Sequence, residues 1–194
     1  TWSKYRYAMS KLSFLKQSYR TEEEKKHSDC GIIDPKNSLP AFTTCDKSLR
    51  WNATINNPKE RTFQFVPIDN NIIIYKSDGK SKESTCDGML LVEQNQILAF
   101  IELKDTRSKG FAEALSQLEN TIRLFLQNHD PSSFKTKRAY IANIAHPQFP
   151  YNRKDEIEHF RTKYKSALRP ATMITDECYS KTLGIGNNVF DYKG

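Results

Sequence analysis

Two apolar runs of strand length, joined by a short polar turn, are the feature that most constrains this chain. Residues 88–92 read Gly-Met-Leu-Leu-Val, residues 97–103 read Ile-Leu-Ala-Phe-Ile-Glu-Leu, and a Gln-Asn-Gln turn lies between them. Such a pattern predicts a β-hairpin. If the loop has an even number of residues, Met89 lies opposite Phe100 and Leu91 opposite Leu98, all on one face of the hairpin.

The same register gathers three charged groups at one end of the hairpin. Asp87 would face Glu102 across the two strands, and Lys104, two residues further on, would project from the same face. Like charges directly opposite each other cost up to about 1 kcal/mol, and a divalent cation between them would turn this repulsion into a binding site. The alternative is a solvated sheet edge, but the apolar run 97–103 argues against it, because a carboxylate at the end of a buried strand usually has a partner or a metal.

An Asp followed by Glu-x-Lys on a hairpin resembles the PD-(D/E)xK nuclease superfamily, which has the restriction-endonuclease-like fold. The resemblance implies that Mg²⁺, for which Mn²⁺ would substitute, is bound by Asp87, Glu102 and the main-chain carbonyl of Leu103. It also implies that Lys104 orients or helps to activate the attacking water. The chemistry agrees, because Mg²⁺ prefers oxygen ligands and lowers the pKa of a bound water, while a lysine stabilises the charge that develops on a phosphodiester.

The chain departs from the family pattern at two places near these residues. Cys86 stands where many members have a proline before the Asp. Many members also carry a Glu on an N-terminal helix that joins the metal site, and the corresponding helix here has none. Glu60 or one of the residues Glu22, Glu23 and Glu24 could take that place, and otherwise the resemblance implies a one-metal site on Asp87 and Glu102.

Two further polar residues are candidates for the site. In one exonuclease-like branch of the superfamily, a Gln on the helix after the hairpin approaches the active site in a QxxxY pattern. Gln117 matches that Gln, with Thr121 in the Tyr position. Glu113 lies four residues before Gln117 and shares a neighbouring helix face. The alternative for both is a solvated polar face of the helix.

The remaining periodicities predict an α/β fold with a restriction-endonuclease-like mixed central sheet flanked by helices, in an α-βββ-α-β core. Helices are predicted over residues 2–19, 110–126 and 155–168, where apolar residues recur at helical spacing. Residues 63–68 and 72–75 predict a first hairpin, with Pro67 favouring a sheet edge. A strand over 137–145 would follow the second helix and lie parallel in the same sheet.

Length and composition limit the number of domains and the class of protein. The 194 residues predict a single nuclease-like domain over 1–194, in which 28–61 form an extended loop or an insertion and 152–194 a C-terminal elaboration. No apolar run approaches membrane-spanning length, so no membrane partner is expected.

The four cysteines show no CxxC pair, which argues against a zinc knuckle, and Cys86 is expected to be a buried free thiol. Reduced cysteines and a cytoplasmic location are expected.

The charge balance predicts an anionic partner. Lys and Arg total 30 against 23 acids, a net charge of +7, which suits contact with phosphates. Basic clusters are expected near the N-terminus, at 135–138 and at 153–169.

The leading hypothesis is a Mg²⁺-dependent deoxyribonuclease, with an endonuclease expected. DNA is preferred to RNA only because the resemblance implies it. Cleavage of both strands of a duplex would favour a homodimer. The alternative is a non-catalytic nuclease-like module that binds nucleic acid or a protein partner. A glycosidase that uses the paired acids fits poorly, since Lys104 would hold both carboxyl groups ionised.

Overall fold

The computed structural model describes residues 12–93, 96–105, 110–143, 154–164, 167–170 and 173–175. In these ranges the chain is a mixed α/β structure with two α-helices, α1 Phe111–Asn128 and α2 Lys154–Tyr164. The strands of the same ranges are β1 Asp29–Ile33, β2 Phe42–Thr44, β3 Ala53–Asn56, β4 Phe63–Pro67, β5 Gly88–Val92, β6 Ile97–Lys104, β7 Thr136–Asn143, β8 Ala167–Pro170 and β9 Met173–Thr175.

The larger sheet has the strand order β4-β5-β6-β7-β8. Strands β4, β5 and β6 pair antiparallel. Strand β7 pairs parallel to β6, because α1 carries the chain back across the sheet between them, and β8 pairs parallel to β7. The predicted register is confirmed, with Met89 paired to Phe100 and Leu91 to Leu98. The predicted edge position of Pro67 is also confirmed, since β4 is the outer strand.

The larger sheet is covered on both faces, which explains why its strands are almost uniformly apolar. On one face the residues Met89, Leu91, Leu98 and Phe100 pack in a cluster with α1 and with Phe160 of α2. On the other face, alternate residues of β5 and β6 pack in a second cluster with residues of β1 and β3. The described helices therefore lie on one face and a second sheet on the other, where the sequence predicted flanking helices alone.

The second sheet has the order β2-β1-β3-β9 and comes mainly from the segment 28–61. This segment was expected to be an extended loop or an insertion, and it forms three antiparallel strands of its own. A disulfide joins Cys30 of β1 to Cys45, just after β2. The expectation that all cysteines are reduced is therefore wrong, although Cys86 is the buried free thiol that was expected. Disulfides are rare in the cytoplasm, so the cytoplasmic location stays a prediction that this bond does not favour.

Three other local predictions differ from the structure. The residues 72–75 form no strand of the sheet: β4 pairs with β5 instead, and Tyr75 makes only an isolated bridge to Lys82. The helix predicted to reach residue 168 ends at Tyr164, and β8 begins at Ala167. Of the helix predicted over 2–19, residues 2–11 lie outside the described residues, and the remainder contains one 3₁₀ turn, Gln17–Tyr19.

The disulfide predicts a measurable contribution to stability. Its two cysteines are 15 residues apart in the sequence, and a loop of this length restricts the unfolded chain by about 3 kcal/mol. We expect a reducing agent to lower the free energy of unfolding, measured by urea denaturation, by about that amount. The double variant Cys30→Ala/Cys45→Ala should show no further loss on reduction, and an unchanged wild-type midpoint would contradict the bond.

Candidate active site

The strand register brings the predicted acidic pair together. Gly88 pairs with Ile101, so the next position along places Asp87 opposite Glu102, at the end of the hairpin where β6 and β7 also end. The close packing at this end requires a glycine after the Asp. A Cβ atom on Gly88 would lie 2.3 Å from the ring of Phe65 and 3.0 Å from the carbonyl oxygen of Val66, so a larger residue would displace the buried Phe65 ring.

Helix α1 fixes the approach to the hairpin. The hydroxyl of Thr121 accepts a hydrogen bond of 2.8 Å from the N–H of Cys86 and donates one of 2.8 Å to the carbonyl of Gln117. Thr121 and Cys86 are both fully buried. Thr121 therefore has a structural role, because it holds the chain immediately before Asp87.

Asp87 binds the backbone of the facing strand. Its Oδ2 atom accepts a hydrogen bond of 2.6 Å from the N–H of Leu103, and its side chain is only partly buried. In a strand, the N–H and the carbonyl of one residue point toward the same neighbouring strand. The carbonyl of Leu103 is therefore directed to the side of Asp87, as a shared site would require.

Glu102 is the most unusual residue of the group. It is 2 % exposed, and its Oε1 atom lies 2.8 Å from Nζ of Lys104. Its Oε2 atom is buried and has no hydrogen-bond partner. Leaving a buried acceptor unsatisfied costs about 1–3 kcal/mol, and more when the group is charged, so this oxygen is suited to a ligand that the chain itself does not supply.

Lys104 is held between the carboxylate and the helix. Its Nζ atom donates to Oε1 of Gln117 at 2.7 Å, and Nε2 of Gln117 donates to the carbonyl of Thr85 at 3.2 Å. The structure therefore brings Gln117 into the cluster and fixes the direction of the lysine. Glu113 is a peripheral member, because its side chain is 69 % exposed and its Oε1 atom lies 3.9 Å from Nζ of Lys104.

Burial and neighbouring charges shift the ionisation of the group. The pKa of Asp87 is raised to about 7, chiefly by burial and also by the charges of Asp34 and Asp69, against the opposing effects of the Leu103 N–H and of Lys104. Burial, followed by the charge of Asp87, raises the pKa of Glu102 well above its ordinary value, although Lys104 and, more weakly, the backbone N–H of Asp87 act to lower it. Shifted carboxyl groups of this kind are concentrated at functional sites.

Two acids that the sequence analysis missed lie near Asp87. Asp34 follows β1 and Asp69 follows β4, and the negative charge of each acts on Asp87. The N–H of Asp69 donates to the carbonyl of Cys86 at 3.2 Å. The pairing of β4 with β5 would have located Asp69, but no sequence pattern connects Asp34, on the second sheet, with the hairpin.

The acids named as substitutes for the missing helix Glu do not reach this end of the sheet. Glu22 binds Lys25 at 2.6 Å, and Lys25 bridges to Phe63, which pairs with Val92 at the far end of the hairpin. Glu60 donates its N–H to the carbonyl of Asn57 in the loop before β4. Glu23 and Glu24 are exposed beside Lys25.

The arrangement offers oxygen donors for one hard cation. Among the described residues, no three His, Cys, Asp or Glu side chains lie close enough to hold an ion by themselves. The donors are instead Asp87, the free oxygen of Glu102 and the Leu103 carbonyl. This set fits Mg²⁺, which commonly uses one or two carboxylates and keeps several waters.

The raised pKa of Asp87 predicts a pH effect on the metal-free protein. Between pH 4 and pH 7 the folded chain retains a proton that the unfolded chain has released, since the pKa rises from 3.8 to about 7. The free energy of unfolding should therefore fall as the pH rises through this window, by on the order of 2 kcal/mol after allowance for partial exposure. Urea denaturation in EDTA should show that Asp87→Asn removes this part of the fall.

Asp105→Asn is the matched control, because its carboxyl group lies close by, bonds Lys36 and has a pKa below its ordinary value. It should leave the slope between pH 4 and pH 7 unchanged. Equal slopes for Asp87→Asn and wild type would show that Asp87 is ionised throughout the window.

Comparisons with known proteins identify no relative of this chain. The chain matches no protein-family model, no curated protein and no solved structure. Among its described helices, none is long and apolar enough to cross a membrane.

Proposed function

We propose that this chain is a Mg²⁺-dependent nuclease of the PD-(D/E)xK type, with a restriction-endonuclease-like core, that hydrolyses phosphodiester bonds in DNA. The observation that carries the proposal is the unpartnered Oε2 atom of Glu102, buried opposite Asp87. A chain gains nothing for its stability from this arrangement, because an apolar residue at the same place would avoid the cost. Functional sites are where such a cost is retained.

The topology supports the same proposal. Three antiparallel strands, β4 to β6, are followed by α1 and by β7 parallel to β6. This is the βββ-α-β part of the core that the resemblance implies. The candidate residues lie on one side of it, since Asp87 precedes β5, Glu102 and Lys104 end β6, and Gln117 lies on α1.

Each side chain has a defined role in the proposed reaction. Asp87, Glu102 and the Leu103 carbonyl bind Mg²⁺, which when bound lowers the pKa of a coordinated water and neutralises charge on the phosphate. Lys104, ionised and directed by Gln117, positions the attacking water and stabilises the charge that develops on the phosphodiester. Asp34 and Asp69 add negative charge around the donors and strengthen the attraction for a cation.

A non-catalytic nuclease-like module is the second candidate. The observation that favours it is the direct ion pair of Lys104 with Glu102 at 2.8 Å, which already occupies one of the two carboxylate oxygens. In that case the paired charges would stabilise the fold alone, and the chain would bind DNA or a protein without cutting.

The nuclease proposal predicts metal-dependent cleavage that depends on the buried group. We expect supercoiled plasmid to be cut with Mg²⁺ or Mn²⁺ but not with EDTA. Asp87→Asn, Glu102→Gln and Lys104→Gln should each lower the rate at least about 100-fold, because each removes a metal ligand or a charge that stabilises the transition state. Glu113→Gln should change the rate by less than about tenfold, because its carboxylate is exposed and distant.

Glu119→Gln is the matched control, since this acid also lies on α1 but pairs with Lys163 of α2. Its rate should equal that of the wild type. Full-rate cleavage by Glu102→Gln would exclude the proposed site, and the absence of cleavage on plasmid and single-stranded DNA would favour the non-catalytic module.

A further inference from the structure

A small basic hairpin, residues 74–83, projects beside the candidate active site. The N–H of Lys76 donates to the carbonyl of Ser81, and the N–H of Glu83 donates to that of Ile74, both at 2.8 Å. At the tip, Oδ1 of Asp78 accepts hydrogen bonds of 2.8 Å from the N–H groups of Lys80 and Ser81. The tip is therefore closed by its own hydrogen bonds.

The base of this basic hairpin is fixed to the site. Its second arm runs through residues 84–86 directly into Asp87. Nδ2 of Asn120 on α1 holds that arm, at 3.0 Å from Oε2 of Glu83 and 2.8 Å from the carbonyl of Ser84. The charge of Lys82 acts on Asp69, which in turn acts on Asp87. The hairpin thus stands at the rim of the site in a defined position.

The surface of the basic hairpin is positive and carries an exposed aromatic ring. Lys76, Lys80 and Lys82 are exposed, and none of them forms an ion pair with another described residue. Of its two acids, Asp78 accepts the hydrogen bonds of the turn and interacts with the charge of Lys76, and Glu83 pairs with Asn120 and Arg123 of α1. Tyr75 is 56 % exposed and is the bridge partner of Lys82, so these two side chains project from one face of the hairpin, whereas Lys76, the next residue, projects from the other.

We propose that the basic hairpin binds an unpaired stretch of the DNA strand next to the bond that is cut, a proposal that rests on the proposed function. Lysines contact phosphates, and an exposed tyrosine stacks on a base only where the base is not already stacked in a duplex. Such an element also offsets the negative charge of Asp34 and Asp69 beside the site, which would repel the DNA backbone. The preferred substrate is therefore single-stranded DNA, or duplex DNA with an unpaired segment.

Equilibrium binding without cleavage tests this proposal separately from catalysis. The probes are a fluorescein-labelled 20-nucleotide single strand and the corresponding duplex, followed by anisotropy in EDTA. Tyr75→Ala should weaken binding of the single strand about tenfold, with a smaller effect on the duplex, whereas Tyr75→Phe should restore wild-type affinity. Thermal unfolding should be unchanged in each variant, since the altered side chains are exposed.

The lysines are tested by charge reversal with a matched control. Lys80→Glu/Lys82→Glu should weaken binding at least about tenfold and reduce the slope of log K against log salt by about 1 to 2. Lys26→Glu/Lys59→Glu makes the same change in net charge at the opposite end of the larger sheet, where β4 begins and Lys25 bridges to Phe63. This control should retain most of the affinity.

Three results would overturn the proposal. These are an equal loss of affinity in the two double variants, an equal effect of Tyr75→Ala on single strand and duplex, and no binding of either probe by the wild-type chain. A chain that binds through the basic hairpin but cuts nothing would leave this inference standing while refuting the nuclease activity.

Discussion

The burial of the Glu102 carboxylate is the constraint on which the rest of this structure depends. The apolar residues of β6 pack against α1 on one face and against the second sheet on the other. Glu102, near the end of this strand, is therefore buried with them. Lys104 satisfies one oxygen of Glu102 and not the other. Gln117 then holds Lys104, and Thr121 on the same helix fixes the chain before Asp87. The polar groups around Glu102 are thus positioned by the packing of one hairpin on one helix.

The sequence predicted this hairpin and helix well, for a local reason. The period-two register of β5 and β6 follows from a short turn between apolar runs, and α1 follows from apolar residues at helical spacing. The pairing of Asp87 with Glu102 and the reach of Lys104 are direct consequences of that register. The helical spacing also places Gln117 of α1 within hydrogen-bond distance of Lys104.

The rest of the fold depends on contacts between distant segments, and the sequence carried no clear pattern for them. Residues 72–75 were predicted to pair with β4, but β5 takes that edge of β4 with five antiparallel residue pairs. The second sheet arises from strands of three to five residues, too short for a clear periodicity, and the Cys30–Cys45 bond ties β1 to the end of β2. Its Asp34 reaches the neighbourhood of Asp87 only through that tertiary packing. Arg138, counted in a basic cluster, is buried, whereas the lysines of the basic hairpin were not recognised as a group.

Binding of Mn²⁺, followed by electron paramagnetic resonance in the absence of DNA, tests the central claim most directly, because it asks whether the buried oxygen of Glu102 is a metal ligand. The account predicts one bound Mn²⁺ per chain at neutral pH in the wild type and in Glu119→Gln, and a loss of that binding in Glu102→Gln. Equal binding in Glu102→Gln, or no binding to the wild-type chain, would contradict it. Glu102 would then be a structural partner of Lys104 alone.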